Sequence, residues 1–399
     1  MKKLISALVI ITVMLMCSAC SNLSFSDMVS DFYEILPQTQ EVIEVKYEQF
    51  YIENPQYSRC YNALNSKQKD YYSRICAISE EMTEGFVDVG ENYTNAMPDF
   101  SVAYNAFFND KAEVFWMPNS YILALSGRED SRRLAVAFSY SDEGRKNRYT
   151  VTKTERDNCK SELDAVVDSI MTEINGMSEY EKELYINDYI CDNVTYKEEG
   201  KFVNTSYGAL VGKEALCEGY SRAFKLLCNK AGIECDLIIG KSDGVGHMWN
   251  RVNIDLKHSY VDVTWNDREH KTYAYFNVTD EQLKKTHSFA PVLSELDYAQ
   301  LENKGQYNFT QKECSFTGNS YYEKNSLMLW SVDKANAAKA VEMAARNVEN
   351  QAEFMFATPE AQQLFESDEI AYITEIQEKV KTAVINGYAV ERDVLILFF

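Results

Sequence analysis

A helix followed at once by three strand candidates is the feature that most constrains the fold of this chain. The helix is predicted to begin near Cys217, and Gly232 follows its end as a stop signal. Its apolar residues recur at helical spacing: Tyr220, Ala223, Phe224, Leu227, Cys228 and Ala231. Residues 235–240, 247–254 and 260–265 then have the pattern of strands. One helix beside a run of strands predicts a fold that mixes α and β structure.

Two helices are predicted before this segment. Apolar residues at helical spacing predict an amphipathic helix that opens at Ser161. Ser178 and Glu181 form the pattern of a capping box, and they predict a second helix that begins there. Residues 195–213 are rich in Gly, Asn, Ser and Thr, which indicates a loop that leads to Cys217.

The outer parts of the chain have weaker patterns. Asn65 and Gln68 predict the cap of an N-terminal helix, and residues 121–126 and 134–140 predict two strands. Beyond Pro291, we expect helix near residues 336–348, a strand at 352–357 and a final strand at 393–399. The predicted domains are an N-terminal helical and mixed domain over 41–155, a central domain over 160–290 and a C-terminal α/β domain over 291–399.

Charge and composition exclude several classes of protein. The 399 residues carry 61 acidic and 40 basic side chains, for a net charge of −21. A field of that sign repels phosphate backbones, so we expect no nucleic-acid partner. The apolar share of 46% excludes a disordered chain. Only four histidines are present and no two have a metal-ligand spacing, so we expect neither a metal nor another cofactor.

The first twenty residues have the pattern of an export signal. Lys2 and Lys3 precede an apolar run over residues 4–16, which is too short to span a bilayer. The small residues directly before Cys20 resemble a bacterial lipobox, which implies a signal peptide over 1–19 and acylation of the Cys20 thiol. Residues 20–40 then form a tether. We expect a protein that is lipid-anchored to the cell membrane and faces the extracellular or periplasmic side; an ordinary signal peptide is the alternative.

Cys217 is a candidate nucleophile because of its place at a helix start. The helix dipole and the free backbone N–H groups there favour the thiolate, which is the nucleophilic form of cysteine. Gly219 follows two residues later and is expected to leave room for a substrate backbone. The alternative is that Cys217 is a buried packing residue.

His247 and Asp262 add a candidate base and its partner. If Asp255 and Leu256 are the central residues of a two-residue hairpin, His247 and Asp262 become diagonal neighbours on one face. A three-residue loop would instead put them on opposite faces. Cysteine, histidine and aspartate together form the nucleophile, base and orienting group of acyl transfer.

These residues belong to a longer stretch, from about Tyr185 to His287, that resembles the bacterial transglutaminase-like superfamily, distant relatives of papain-like peptidases. The similar segments are residues 187–190, 207–211, 217–224, 247–250, 261–267 and 275–278, with residues 109–116 similar to an N-terminal extension of such proteins. Leu256 stands where the family has a turn glycine. His287 is interpreted as a packing or hydrogen-bonding residue rather than a catalytic one.

The resemblance implies an α+β fold in which the helix with the cysteine packs on an antiparallel sheet. It implies Cys217 as nucleophile, His247 as general base and acid, and Asp262 as the residue that orients His247. The Cys217 backbone N–H and the Tyr207 side chain are candidates for the oxyanion site.

Two functions from different classes follow as hypotheses. The first is a cysteine-dependent enzyme that acts on peptide or protein substrates, among them cell-wall peptide, either as a peptidase or amidase or as a transglutaminase. The alternative is a surface binding module that keeps the fold with little or no catalysis.

Overall fold

The computed structural model describes residues 34–36, 40–48, 58–118, 121–128, 131–138, 151–268, 270–303, 307–330, 334–347 and 349–399. The predicted signal peptide and Cys20 lie outside these ranges. Within them, no helix combines the length and the apolar character that crossing a membrane requires.

The described residues form a mixed α+β structure. In chain order the helices are α1 Arg59–Ala63, α2 Ser66–Glu81, α3 Ala96–Asp110, α4 Lys153–Glu173, α5 Glu179–Asn193, α6 Cys217–Lys230, α7 Val263–Asn266, α8 Asp280–Leu283, α9 Tyr298–Asn303, α10 Tyr321–Lys324, α11 Lys334–Arg346, α12 Pro359–Ser367 and α13 Glu369–Gln377. The strands are β1 Glu34–Ile35, β2 Val42–Ile43, β3 Phe86–Glu91, β4 Tyr121–Ser126, β5 Arg133–Phe138, β6 Thr195–Tyr196, β7 Glu214–Ala215, β8 Glu234–Ser242, β9 Val245–Ile254, β10 Lys257–Val261, β11 His287–Phe289, β12 Met328–Leu329, β13 Gln351–Phe356, β14 Gly387–Glu391 and β15 Val394–Phe398.

Two predicted helix starts are confirmed by their caps. The Asn65 side chain accepts a hydrogen bond from the Gln68 backbone, and the Gln68 side chain accepts one from the Asn65 backbone. Ser178 and Glu181 make the same reciprocal pair at the start of α5. Each box satisfies two backbone N–H donors that have no partner within the first helical turn. The start of both helices is therefore determined by residues that are close together in the sequence.

The predicted start of α4 was wrong by eight residues. The helix begins at Lys153 and not at Ser161, because Thr152 and Glu155 form a capping box. The loop predicted over 195–213 also contains structure: β6 pairs in parallel with β7, and a π-helical turn occupies Gly208–Gly212.

The structure divides into two compact units. The first comprises residues 1–251 and 288–312, and the second comprises residues 252–287 and 313–399. In the first unit, strands β1-β4-β5-β3-β2 form a sheet in that order. Strands β4 and β5 pair antiparallel along their whole length. In the second unit, β12-β13-β15-β14 form a sheet in which β15 is antiparallel to both of its neighbours.

The sheet that follows the Cys217 helix has the strand order β10-β9-β8-β11, and α6 packs on β8. Two tight hairpins build it. Asp243 and Gly244 separate β8 from β9, and Asp255 and Leu256 separate β9 from β10. All four have positive φ angles, which is the backbone that two-residue hairpins need. The helix on an antiparallel sheet and the two-residue turn are therefore both as predicted.

Leu256 is strained in this turn, and relieving the strain should stabilise the protein. Its φ is 62° and its side chain is 89% exposed, so a substitution there loses almost no packing. We expect Leu256→Gly to raise the free energy of unfolding by about 1 kcal/mol, because glycine adopts positive φ without steric cost. Urea unfolding measures the change. Leu256→Ala is the matched control, and an equal gain for alanine would contradict the backbone explanation.

Asp110 is a buried carboxylate that holds α1 on the end of α3. Its two oxygens accept the backbone N–H groups of Cys60 and Tyr61, at 3.1 and 2.9 Å. Burial raises the pKa of Asp110 to about 6, and the charge of Lys225 on α6 opposes the shift. The folded protein therefore binds the proton of this carboxyl group more tightly than the unfolded chain does.

This shift gives a pH dependence of stability with a defined sign. Because the folded pKa lies above the ordinary value, the Asp110 contribution is most favourable below pH 4 and is lost as the pH rises through 6. Asp110→Asn cannot ionise. We expect its stability relative to wild type to rise by about 2 kcal/mol between pH 4 and pH 7. Urea unfolding at both pH values tests this, and a pH-independent difference would refute it.

Candidate functional site

Cys217 is the first residue of α6, as predicted. The helix start has no side-chain cap, since the preceding residue is Leu216. The Cys217 side chain is 1% exposed in the structure. A thiol in this position lies beside the backbone N–H groups of the first helical turn, which favour an anion on sulfur or on an oxygen close to it.

Gly219 has a different role from the predicted one. A Cβ atom on this residue would lie 2.3 Å from the Val203 carbonyl oxygen and 2.8 Å from the Ala215 Cβ. The same Val203 oxygen accepts the Leu216 backbone N–H at 2.7 Å. The space beside Gly219 is thus filled by the loop of this chain rather than left open for a substrate, and the glycine lets that loop brace the start of α6.

Hydrogen bonds attach α6 to the strand that carries His247. The Ser221 hydroxyl donates to the Met248 carbonyl at 2.9 Å, and the Asn250 side chain donates to the Ser221 carbonyl at 3.0 Å. Ser221 lies one helical turn after Cys217 on the same side of α6, and Met248 follows His247. The helix with the cysteine and the strand with the histidine are therefore fixed to each other next to both side chains.

A buried ion pair also holds this helix in place. Arg222 Nε lies 2.9 Å from Glu218 Oε1, and both side chains are buried. Arg222 also donates to the Phe108 carbonyl at 2.9 Å, and its guanidinium lies over the Phe108 ring. Burial raises the pKa of Glu218, and Arg222 opposes that shift. The pair therefore joins α6 to α3.

Asp262 does not continue a strand, and that prediction is corrected. Strand β10 ends at Val261, and Asp262 is the N-cap of the short helix α7. Its Oδ1 accepts the Trp265 backbone N–H at 3.1 Å, and its own N–H donates to the Tyr275 carbonyl at 3.0 Å. The cap ends the strand because the carboxylate offers the backbone a helical turn in place of a sheet ladder.

His287 is the imidazole that contacts the other oxygen of Asp262. Its Nε2 lies 3.0 Å from Asp262 Oδ2, and both side chains are almost completely buried. Its Nδ1 lies 2.8 Å from the Thr286 hydroxyl oxygen. The sequence predicted a packing or hydrogen-bonding role for His287, and the structure shows it in hydrogen bonds. No local pattern pointed to Asp262 as its partner, since 25 residues separate the two.

The remaining predicted residues have these surroundings. His247 is the third residue of β9, is half-buried, and stacks beside the fully buried Trp249, with 6.0 Å between ring centroids. The Tyr207 hydroxyl donates to Glu162 Oε2 at 2.6 Å, and its ring packs on Phe115. Burial raises the pKa of the Tyr207 hydroxyl above its ordinary value. The Tyr207 hydroxyl proton is donated to Glu162 in this structure rather than being free for a substrate oxygen. The oxyanion role of Tyr207 stays a prediction.

Comparison with known proteins gives the class of this region. Residues 168–266 match the family model of the transglutaminase-like superfamily. The chain therefore contains a transglutaminase-like domain, and this domain includes Cys217, His247 and Asp262.

Two curated proteins match part of the chain. It is 27% identical over 123 residues to the kyphoscoliosis peptidase of Homo sapiens and 26% identical to that of Mus musculus, covering 27% of this chain and 18% of each relative. The chain thus matches less than a fifth of the length of these relatives.

Solved structures also align with parts of this chain. The crystal structure of a TGase aligns over 43% of this chain and 51% of its own, at 15% identity and a TM-score of 0.27. A protein described as a candidate cysteine protease of Cytophaga hutchinsonii aligns over 36% of this chain and 61% of its own, at 12% identity and a TM-score of 0.23.

Proposed function

We propose that this protein is an exported, lipid-anchored enzyme that performs cysteine-dependent acyl transfer on peptide or glutamine-type amide groups. Cys217 is the nucleophile, His247 is the general base and acid, and Asp262 orients the imidazole. The observation that supports this most is the attachment of α6 to β9 through Ser221, because it fixes the start of the Cys217 helix beside the strand of His247. The transglutaminase-like match over 168–266 includes all three residues.

The first step forms a thioester. His247 removes the proton from the Cys217 thiol, and the sulfur attacks the carbonyl carbon of a carboxamide or peptide bond. The C–N bond of the tetrahedral intermediate then breaks, and the leaving amine takes the proton from His247. The Cys217 backbone N–H, at the start of α6, is the proposed donor to the negative oxygen of the intermediate.

The second step returns the enzyme to its starting state. Water or an amine gives a proton to His247 and attacks the thioester carbon, and the Cys217 sulfur leaves and recovers that proton. With water the product is an acid, and the enzyme is a peptidase or amidase. With an amine the product is a new amide, and the enzyme is a transglutaminase. The outcome depends on how well the acyl-enzyme excludes water.

Export and the lipid anchor at Cys20 determine which substrates the enzyme would meet. The proposal rests on the basic start, the apolar run over 4–16 and the small residues before Cys20. Cell-wall peptides and extracellular proteins are the substrates that share that compartment.

A mixed-substrate assay tests the function and separates its two forms. The protein without residues 1–20 is incubated with glutamine-containing peptides and a primary amine, and products are identified by mass spectrometry. Cleaved peptide or free acid indicates hydrolysis, and a peptide that gains the amine while losing ammonia indicates transamidation. Retention of bound peptide with neither product would contradict the enzyme proposal and support the binding module.

A further inference from the structure

We propose that His287 is a positioning residue, which holds the carboxylate of Asp262 in the orientation that the acyl-transfer site uses. This inference rests on the proposed function, because it gives His287 a role only through Asp262. The observation behind it is the 3.0 Å contact between His287 Nε2 and Asp262 Oδ2 in a buried environment.

Burial makes this contact a strong one. The His287 side chain is 0% exposed and that of Asp262 is 1% exposed. A carboxylate taken out of water needs hydrogen-bond donors, and a bond to a charged group is stronger than a bond between neutral groups. One oxygen of Asp262 has the Trp265 backbone N–H, and the other has His287. Together they restrict rotation of the carboxylate.

The surroundings also determine which ring nitrogen of His287 carries the proton. An ionised Asp262 can only accept, so Nε2 of His287 must be the donor. The Thr286 hydroxyl lies 2.8 Å from Nδ1 and 3.4 Å from the Leu283 carbonyl oxygen, and in the neutral ring it donates to the nearer atom, Nδ1. With this pairing the neutral ring carries its proton on Nε2, the nitrogen that contacts Asp262. The second partner of a metal-binding histidine fixes its tautomer in the same way.

Two aromatic rings hold the imidazole itself. Trp265 and Tyr275 lie 5.0 and 5.6 Å from His287 between ring centroids. The Tyr275 hydroxyl donates to Glu391 on β14 at 2.9 Å, and Arg268 donates to the other oxygen of Glu391 at 2.8 Å. Strand β14 therefore contributes to the position of His287, which gives residues 313–399 of the same unit a role in supporting Asp262.

A matched pair of substitutions tests the role of the donor. Glutamine at 287 places its amide nitrogen near the position of Nε2, whereas the shorter asparagine cannot reach Asp262. The readout is the pH at which half of Cys217 is alkylated by iodoacetamide, determined by peptide mapping. We expect His287→Asn to move this midpoint upward by about one pH unit and His287→Gln to leave it close to wild type. Melting temperatures confirm that both variants are folded.

Two further variants separate the possible failures. Asp262→Ala should raise the midpoint at least as far as His287→Asn. If Asp262→Ala raises it and His287→Asn does not, the positioning role is wrong while the triad stands. If Asp262→Ala has no effect, both the triad and the role of His287 are refuted. Thr286→Val removes the donor to Nδ1 and provides the test if neither variant at 287 folds. An upward shift of the alkylation midpoint supports the proposal, and an unchanged midpoint overturns it.

Discussion

Replacing Cys217 with alanine should abolish turnover of any amide substrate while leaving the fold intact. The proposed thioester needs the sulfur, and removing the nucleophile of such a set lowers kcat by about 10⁴-fold or more. Loss of one buried sulfur should lower the free energy of unfolding by only about 1 kcal/mol. The measurement is product formation with peptide and amine substrates, with thermal melting alongside.

Cys228 provides the matched control for this variant. It lies on the same helix and is fully buried, and burial raises the pKa of its thiol well above the ordinary value. Cys228→Ala should therefore keep its turnover at a similar cost in stability. Turnover that survives in Cys217→Ala, or falls equally in both variants, would remove Cys217 from the mechanism.

Gly219→Ala should unfold the start of α6 and strongly destabilise the protein. The new methyl group would lie 2.3 Å from the Val203 carbonyl oxygen, which is backbone and cannot rotate away. We expect a loss of about 3 kcal/mol or more in the free energy of unfolding. Because the same loop braces Cys217, any folded fraction should also show slow alkylation of that thiol.

Gly212→Ala tests whether the cause is steric. A Cβ at that position meets nothing closer than the Tyr207 carbonyl oxygen at 4.0 Å. It lies in the same loop region and should change the stability by less than about 1 kcal/mol. A small effect of Gly219→Ala, or an equally large effect of Gly212→Ala, would contradict the role assigned to the close contact.

Structure that is encoded by neighbouring residues could be predicted from the sequence. The capping boxes at Asn65 and Ser178 act within four residues, and the hairpin at Asp255 and Leu256 depends on the parity of the flanking pattern. The start of α4 was missed for a related reason. Its first two turns are polar, so apolar periodicity begins only at Leu163, while the true signal was the cap at Thr152.

Long-range pairing could not be predicted in the same way. The alternating residues around Asp262 have the composition of a strand, and only the hydrogen bond to the Trp265 backbone converts them into a helix start. The partner of its second oxygen, His287, lies beyond α7 and α8 in the chain. Gly219 illustrates the same limit: its role depends on Val203, which a sequence pattern does not place beside it.

The most direct test of the central claim is the alkylation rate of Cys217 as a function of pH, in protein that lacks residues 1–20. It is compared with His247→Ala and Asp262→Ala, and the modified cysteine is located by peptide mapping. We predict that Cys217 is alkylated faster than the buried Cys228 at neutral pH, and that both variants slow the reaction of Cys217. A slow Cys217 whose pH profile is the same in all three proteins would contradict the proposed triad.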